Sequence, residues 1–205
     1  VRAAAAALRP GGTEADAART AAATFTSHGA DVNFTMLASA GNGALPHYVF
    51  GERVLGEGDV VVIDLGGRRD GYCSDITRMA CIGTPGDAFL GVHAIVERAV
   101  QAALAAARPG VKASTVDLAA RQVIADAGYG DRFLHRTGHG IGTEGHEQPF
   151  ITGSSQTLLE EGMVFSIEPG IYLPGRFGVR LEEIVHLGPK GPEILSALPR
   201  DIIRI

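Results

Sequence analysis

One ten-residue word occurs twice in this chain, and it limits what the chain can fold into more than any other feature. Leu55-Gly-Glu-Gly-Asp-Val-Val-Val-Ile-Asp64 aligns without a gap to Leu159-Glu-Glu-Gly-Met-Val-Phe-Ser-Ile-Glu168, and each copy closes on a carboxylate. Downstream, Gly71 precedes Asp75 by four residues as Gly178 precedes Glu182; upstream, Arg9-Pro10-Gly11 has its counterpart in Arg108-Pro109-Gly110. Two copies about 100 residues apart are too few and too long for a solenoid. The repeat predicts an α+β chain of two αβ halves related by a pseudo-twofold axis.

Local signals fill in each half. Thr13 with Asp16 three residues on forms a capping box, predicting a helix to about Ser27. Further helices are expected from about Asp87 to Ala107, ended by Pro109-Gly110, and from about Ser114 to Ala127, ended by Gly128. Residues 60–66 form a continuous apolar run, as in a strand covered on both faces, with a second strand over 71–83. Strands are also expected over 163–168, over 178–188 and near Ile202.

With 205 residues, the chain is long enough to bury roughly 70% of its unfolded surface without metal or disulfide staples. A net charge of −5 with no basic run argues against nucleic acid as a partner. No stretch of ~18 uncharged apolar residues suits a membrane span. Cys73 and Cys81 lie too far apart along one strand to bridge, and free thiols suit the cytoplasm. The start at Val1, in what reads as mid-helix, points to a fragment whose upstream part has been removed.

Asp64 closes a buried run, where a lone carboxylate costs several kcal/mol (roughly 3–5) unless it is paired or metal-bound. If residues 68–71 form the loop of a hairpin, Asp64 sits directly opposite Asp75, Cβ atoms ~5 Å apart; a turn at Asp70-Gly71 makes them diagonal neighbours on the same face. The plain alternative is a pair sharing a proton or held by Arg78 or Arg180. Glu168 and Glu182 are the matching pair in the second half, so the pseudo-twofold brings four carboxylates to one centre. Divalent cations, more than one, are the natural compensation. His139 lies between Gly138 and Gly140, which argue against a helix and permit close approach of backbone and metal.

In order, DLGG…GYCSDITRM, HRTGHGIG…HE-x-P, MVFSIEPGIY and GVRLEEIV resemble the pita-bread metallopeptidases, specifically the Xaa-Pro branch of prolidase and aminopeptidase P. The resemblance covers nearly the whole chain. It implies the pita-bread fold, with the two halves around a curved antiparallel sheet. It also implies two divalent metal ions, manganese with cobalt or zinc as alternatives. Asp64 would chelate one ion, Asp75 and Glu182 would bridge both, and His139 and Glu168 would complete the second. His47 and His146 fall on the substrate-site histidines, and Arg180 on the Arg two residues before the last ligand. Enzymes of this branch usually carry an N-terminal domain that this sequence does not include, so residues 1–205 are expected to be a single catalytic domain.

The implied activity is hydrolysis of the bond before proline, in dipeptides or at peptide N-termini, with short peptides as substrates, no nucleic acid or membrane partner, and a homodimer as the assembly. Glu168 would act as general base and later acid. His47 and His146 would bind the scissile carbonyl and the developing charge. Arg180 would orient Glu182 or hold a product carboxylate. Two other functions stay open: methionine aminopeptidase on the same fold, and a non-catalytic pita-bread module that binds peptides or proteins.

Overall fold

The computed structural model describes residues 1–205. Its first half begins with α1 (Arg2–Ala7) and α2 (Glu14–Ser27). The expected capping box closes at Thr13, whose hydroxyl accepts from the Asp16 amide at 3.1 Å while its own amide donates to the Asp16 carboxylate at 3.0 Å. Strands β1 (Asp31–Ser39), β2 (Val60–Arg69) and β3 (Tyr72–Cys81) follow, antiparallel in that order. The sequence did not single out β1.

The β2–β3 hairpin settles the register left open above. Asp70 and Gly71 form its two-residue turn with φ of 52° and 87°, the positive pair of a type I′ turn. Asp64 therefore faces Thr77, and Asp75 faces Gly66. This corrects the direct Asp64–Asp75 pairing: the two carboxylates are diagonal neighbours on one face. Alternation along β2 explains why they point inward. Val61, Ile63 and Leu65 pack into a core under α1 and α2, whereas Val60 and Val62 face a larger core shared with the second half. Asp64 continues that second face.

Helices α3 (Asp87–Ala106) and α4 (Ala113–Asp126) lead into β4 (Gly138–Gly140), β5 (Glu147–Ile151) and β6 (Val164–Ile167). By length and composition α3 could cross a bilayer, but it lays Phe89, Val92, Val96 and Val100 into the larger core. A ribbon of β7 (Gly170–Leu173) and β8 (Phe177–Arg180) comes next, then β9 (Glu183–Gly188), β10 (Gly191–Ile194) and β11 (Ile203–Arg204). The second sheet runs β5-β4-β6-β9-β10, all antiparallel; β11 joins the first sheet parallel to β3.

The expected single strand over 178–188 is corrected to β8 and β9. β8 pairs with β7 and β9 with β6, so Leu181 and Glu182 cross between two partners. Buried Arg78 fixes the crossing by donating to the Glu182 carbonyl and, at 2.8 Å, to the Glu183 carboxylate.

The repeat is legible in the backbone. The Gly11 amide donates to the Leu55 carbonyl at 2.9 Å, as Gly110 does to Leu159 at 2.7 Å; Gly58 donates to Ile82 and Gly162 to Leu187, both at 2.8 Å. β1-β2-β3 thus corresponds to β4-β6-β9.

Candidate metal centre

Each half delivers its carboxylates from a strand pair. Asp64 comes from β2 and Asp75 from β3; Glu168 follows the end of β6 and Glu182 occupies the β8–β9 crossing. His139, in the middle of β4, faces them: its Nε2 lies 3.2 Å from Glu168 Oε1 and 3.9 Å from Asp75 Oδ2. A side chain at Gly138 would collide with the Ser166 carbonyl and one at Gly140 with the Gln148 carbonyl, so only glycines let β4 lie this close to β6 and β5. All five expected ligands line one cleft of about 490 Å³, together with His47 and His146.

Polar neighbours orient the set. The Ser166 hydroxyl donates to Glu168 Oε1 at 3.1 Å and accepts from the His139 amide at 3.0 Å. The Thr77 hydroxyl donates to Glu182 Oε2 at 2.9 Å. His139 Nδ1 lies 3.0 Å from the Gly140 carbonyl, which only accepts, so Nδ1 carries a proton and Nε2 is the nitrogen that faces the carboxylates.

The donor set fits divalent cations. Asp64 Oδ1, Asp75 Oδ1 and Glu182 Oε1 are buried with no hydrogen-bond partner, a state too costly to leave uncompensated. Three groups bring ligand atoms within 4.8 Å of one another: Asp64, Asp75 and Glu182; His139, Glu168 and Glu182; and Asp75, His139 and His146. Asp75, His139 and Glu182 belong to two groups each. Burial, then the charges of Asp64 and Glu168, push the Asp75 carboxyl up to about 9. Burial, then Asp75, likewise raises Glu182 well above the carboxylate range. Burial opposes ionisation of Glu168 too, but the His139 hydrogen bond and the charges of His135, His139 and Arg180 bring it down to about 2.

Arg180 departs from expectation. Its Nη2 donates to Asp64 Oδ2 at 2.6 Å and lies 3.3 Å from the Met36 sulfur; Nη1 donates to the Tyr172 hydroxyl at 2.8 Å and the Pro46 carbonyl at 3.3 Å; Nε donates to Thr77 Oγ1 at 3.3 Å. All five donors are used, leaving none for a product carboxylate, and Glu182 is reached only through Thr77. Sequence reasoning also missed His135 and Tyr172. His135 Nδ1 faces the Arg136 carbonyl at 2.8 Å, so its Nε2 accepts from the Tyr172 hydroxyl at 2.7 Å. The H-x-x-x-H spacing of His135 and His139 was the available signal.

The chain and its fold have relatives among known proteins. The model of metallopeptidase family M24 matches residues 1–189. The chain belongs to this family. Among M24 relatives, a probable dipeptidase PepE of Mycobacterium tuberculosis is 46% identical over 198 residues, 96% of this chain and 53% of its own length. An Xaa-Pro dipeptidase of Pyrococcus furiosus is 43% identical over 169 residues, 82% of this chain and 49% of its own. The X-Pro aminopeptidase structure from Thermotoga maritima superposes with a TM-score of 0.96 at 44% identity, covering 98% of this chain and 58% of that one. The prolidase structure from Pyrococcus furiosus gives 0.95 at 40% identity, covering 97% and 60%. The fold is the α+β pita-bread fold of these enzymes. The chain spans about half the length of the curated M24 relatives it matches.

Proposed function

We propose that residues 1–205 form the catalytic domain of a dinuclear metallopeptidase that hydrolyses the peptide bond before proline, in dipeptides or at peptide N-termini. The observation that carries the reading is that Glu182 belongs both to a group with Asp64 and Asp75 and to one with His139 and Glu168, which supports two adjacent cations rather than one. In this reading Asp64 would hold one ion, Asp75 and Glu182 would be shared, and His139 and Glu168 would hold the other; manganese is the expected metal, with cobalt or zinc as alternatives. When bound, the ions supply Lewis acidity toward the scissile carbonyl and make a water nucleophilic near neutral pH.

Glu168 takes the proton from the attacking water and returns it to the proline nitrogen, which as a tertiary amide must be protonated to leave. His47, from the segment between β1 and β2, and His146, from the loop between β4 and β5, donate to the carbonyl oxygen as negative charge develops. Burial, then the charge of His139, lowers the His146 pKa and favours the neutral ring that suits such a donor. Arg180 holds Asp64 in place. The free thiols of Cys73 and Cys81 support the cytoplasm as the enzyme's compartment.

A panel of Xaa-Pro dipeptides, longer Xaa-Pro peptides and Met-Ala peptides, assayed with added manganese, tests the reading. Turnover of Xaa-Pro substrates alone is expected, as the names of the relatives support. Preference for Met-Ala would assign methionine aminopeptidase instead. No turnover by fully metallated protein would leave the non-catalytic module.

A further inference from the structure

Glu14 is completely buried on the first turn of α2, does not line the cleft and has no part in the chemistry above. A carboxylate so placed must accept hydrogen bonds at both oxygens. Oε1 accepts from the Ser39 amide at 2.7 Å, the Ser39 hydroxyl at 2.6 Å and Asn42 Nδ2 at 3.0 Å. Oε2 accepts from the Tyr48 hydroxyl at 2.9 Å, the Gly51 amide at 3.0 Å and Asn42 Nδ2 at 3.2 Å. Every one of these donors belongs to residues 39–51, the stretch that leaves β1 and carries His47 into the cleft.

We infer that Glu14 is a positioning residue for His47, tying both ends of this stretch to α2. The inference rests on the reading of His47 as a substrate-binding residue. His47 itself is exposed, so its placement depends on its neighbours. Pro46 on one side accepts from Arg180, and Tyr48 on the other donates to Glu14. The stretch also needs restraint: Ala40, directly after Ser39, has a φ of 46°, which a residue with a Cβ adopts only where its surroundings impose it.

The second half holds a similar contact, at positions that are not the repeat counterparts of Glu14 and Ser39. Asp117, completely buried on α4, accepts the Thr137 amide at 3.1 Å and the Thr137 hydroxyl at 2.8 Å, as Glu14 accepts both groups of Ser39. Thr137 precedes His139 by two residues, and its carbonyl accepts from the Glu168 amide at 2.7 Å. Each half thus uses a buried helix carboxylate to hold the residue that opens a segment bearing a site histidine.

Glu14→Gln keeps the size of the side chain but turns one acceptor into a donor facing other donors. Two measurements on the metal-loaded protein test the inference. Amide hydrogen exchange should quicken over residues 46–51 while β2 and α3 stay protected. In a double-mutant cycle on an Xaa-Pro dipeptide at equal metal content, Glu14→Gln should lower kcat/KM about 10-fold in the parent and less than about 2-fold beside His47→Ala. Unchanged exchange, or the same factor in both backgrounds, would overturn the inference; the latter is what a purely structural role predicts. If Glu14→Gln does not fold, Tyr48→Phe, which deletes one of the six hydrogen bonds, is read in the same cycle: about 3-fold in the parent and none beside His47→Ala, with equal factors again overturning it. Parental turnover by His47→Ala would instead remove His47 from the reaction, and the exchange arm would still decide whether Glu14 holds the segment.

Discussion

Arg180 is buried, and a guanidinium survives there only because every donor is matched. Burial alone would lower its pKa, but Tyr172, Asp64 and Glu168 outweigh burial and raise it further. Lysine offers no planar fork to span Asp64, Tyr172 and Thr77. Arg180→Lys is therefore expected to weaken metal binding about 10-fold or more, read by calorimetric titration of the metal-free protein. Parental affinity would mean that Asp64 needs no such hold. At Glu168 the test is the opposite, keeping the metal and losing the proton: the amide oxygen of Glu168→Gln can ligate but cannot carry a proton. We expect kcat to fall about 10²–10⁴-fold with two ions still bound per chain, counted by elemental analysis. Near-parental turnover in the fully loaded variant would remove Glu168 from the acid–base role.

Among the elements, β2 is the one whose entry matters most, because Asp64 is placed by the strand's alternation. The turn before β2 is held by Asp59, which accepts from Arg53 Nη1 at 2.6 Å and Nη2 at 2.9 Å and from the Gly56 amide at 2.8 Å. Burial works to raise the Asp59 pKa, but the Arg53 and Gly56 hydrogen bonds outweigh it and lower the value. A carboxylate depressed in the folded state contributes its full stability above its unfolded pKa and loses it as pH falls through the lowered one. Asp59→Asn should thus cost about 1–2 kcal/mol near pH 7, discounted because Arg53 is a third exposed, and less at about pH 3, below the ordinary carboxylate pKa. Urea unfolding at the two pH values measures this, and an equal cost at both would rule out the ion pair as its source. Element boundaries show what local pattern encodes. The capping box at Thr13 and both long helices lie where the sequence places them. The break at Leu181-Glu182 was invisible, because it arises from a change of partner strand rather than from any residue that disfavours a strand.

Across the whole molecule, the candidate metal centre is where the two halves meet, with Asp64 and Asp75 from one and His139, Glu168 and Glu182 from the other. Cations there would bind the folded state and hold the halves together. Adding manganese at about 100-fold over its Kd should stabilise the protein by about 3 kcal/mol, and a chelator should reverse the gain. Thermal unfolding across a metal titration measures it, and a flat Tm would contradict a metal at this junction. Anomalous diffraction from metal-loaded crystals should show two peaks about 3–4 Å apart. A single peak would reduce the centre to one ion. The sequence by itself determined the two-half plan, the long helices, the hairpin and the four carboxylates that meet in the cleft, because periodicity, capping and a repeated carboxylate-ended strand are local signals carried by side-chain type; the cleft histidines and Arg180 came from the family resemblance. Only the tertiary structure decided the rest. A turn shorter by two residues set the Asp64–Asp75 geometry; Arg180 spent its donors on Asp64, 116 positions away, and Pro46, 134 away; Thr77 reached Glu182 across 105; and Glu14 closed on residues 39–51. Such pairings follow from which faces the two cores press together, and no local pattern records which buried donor will meet which acceptor.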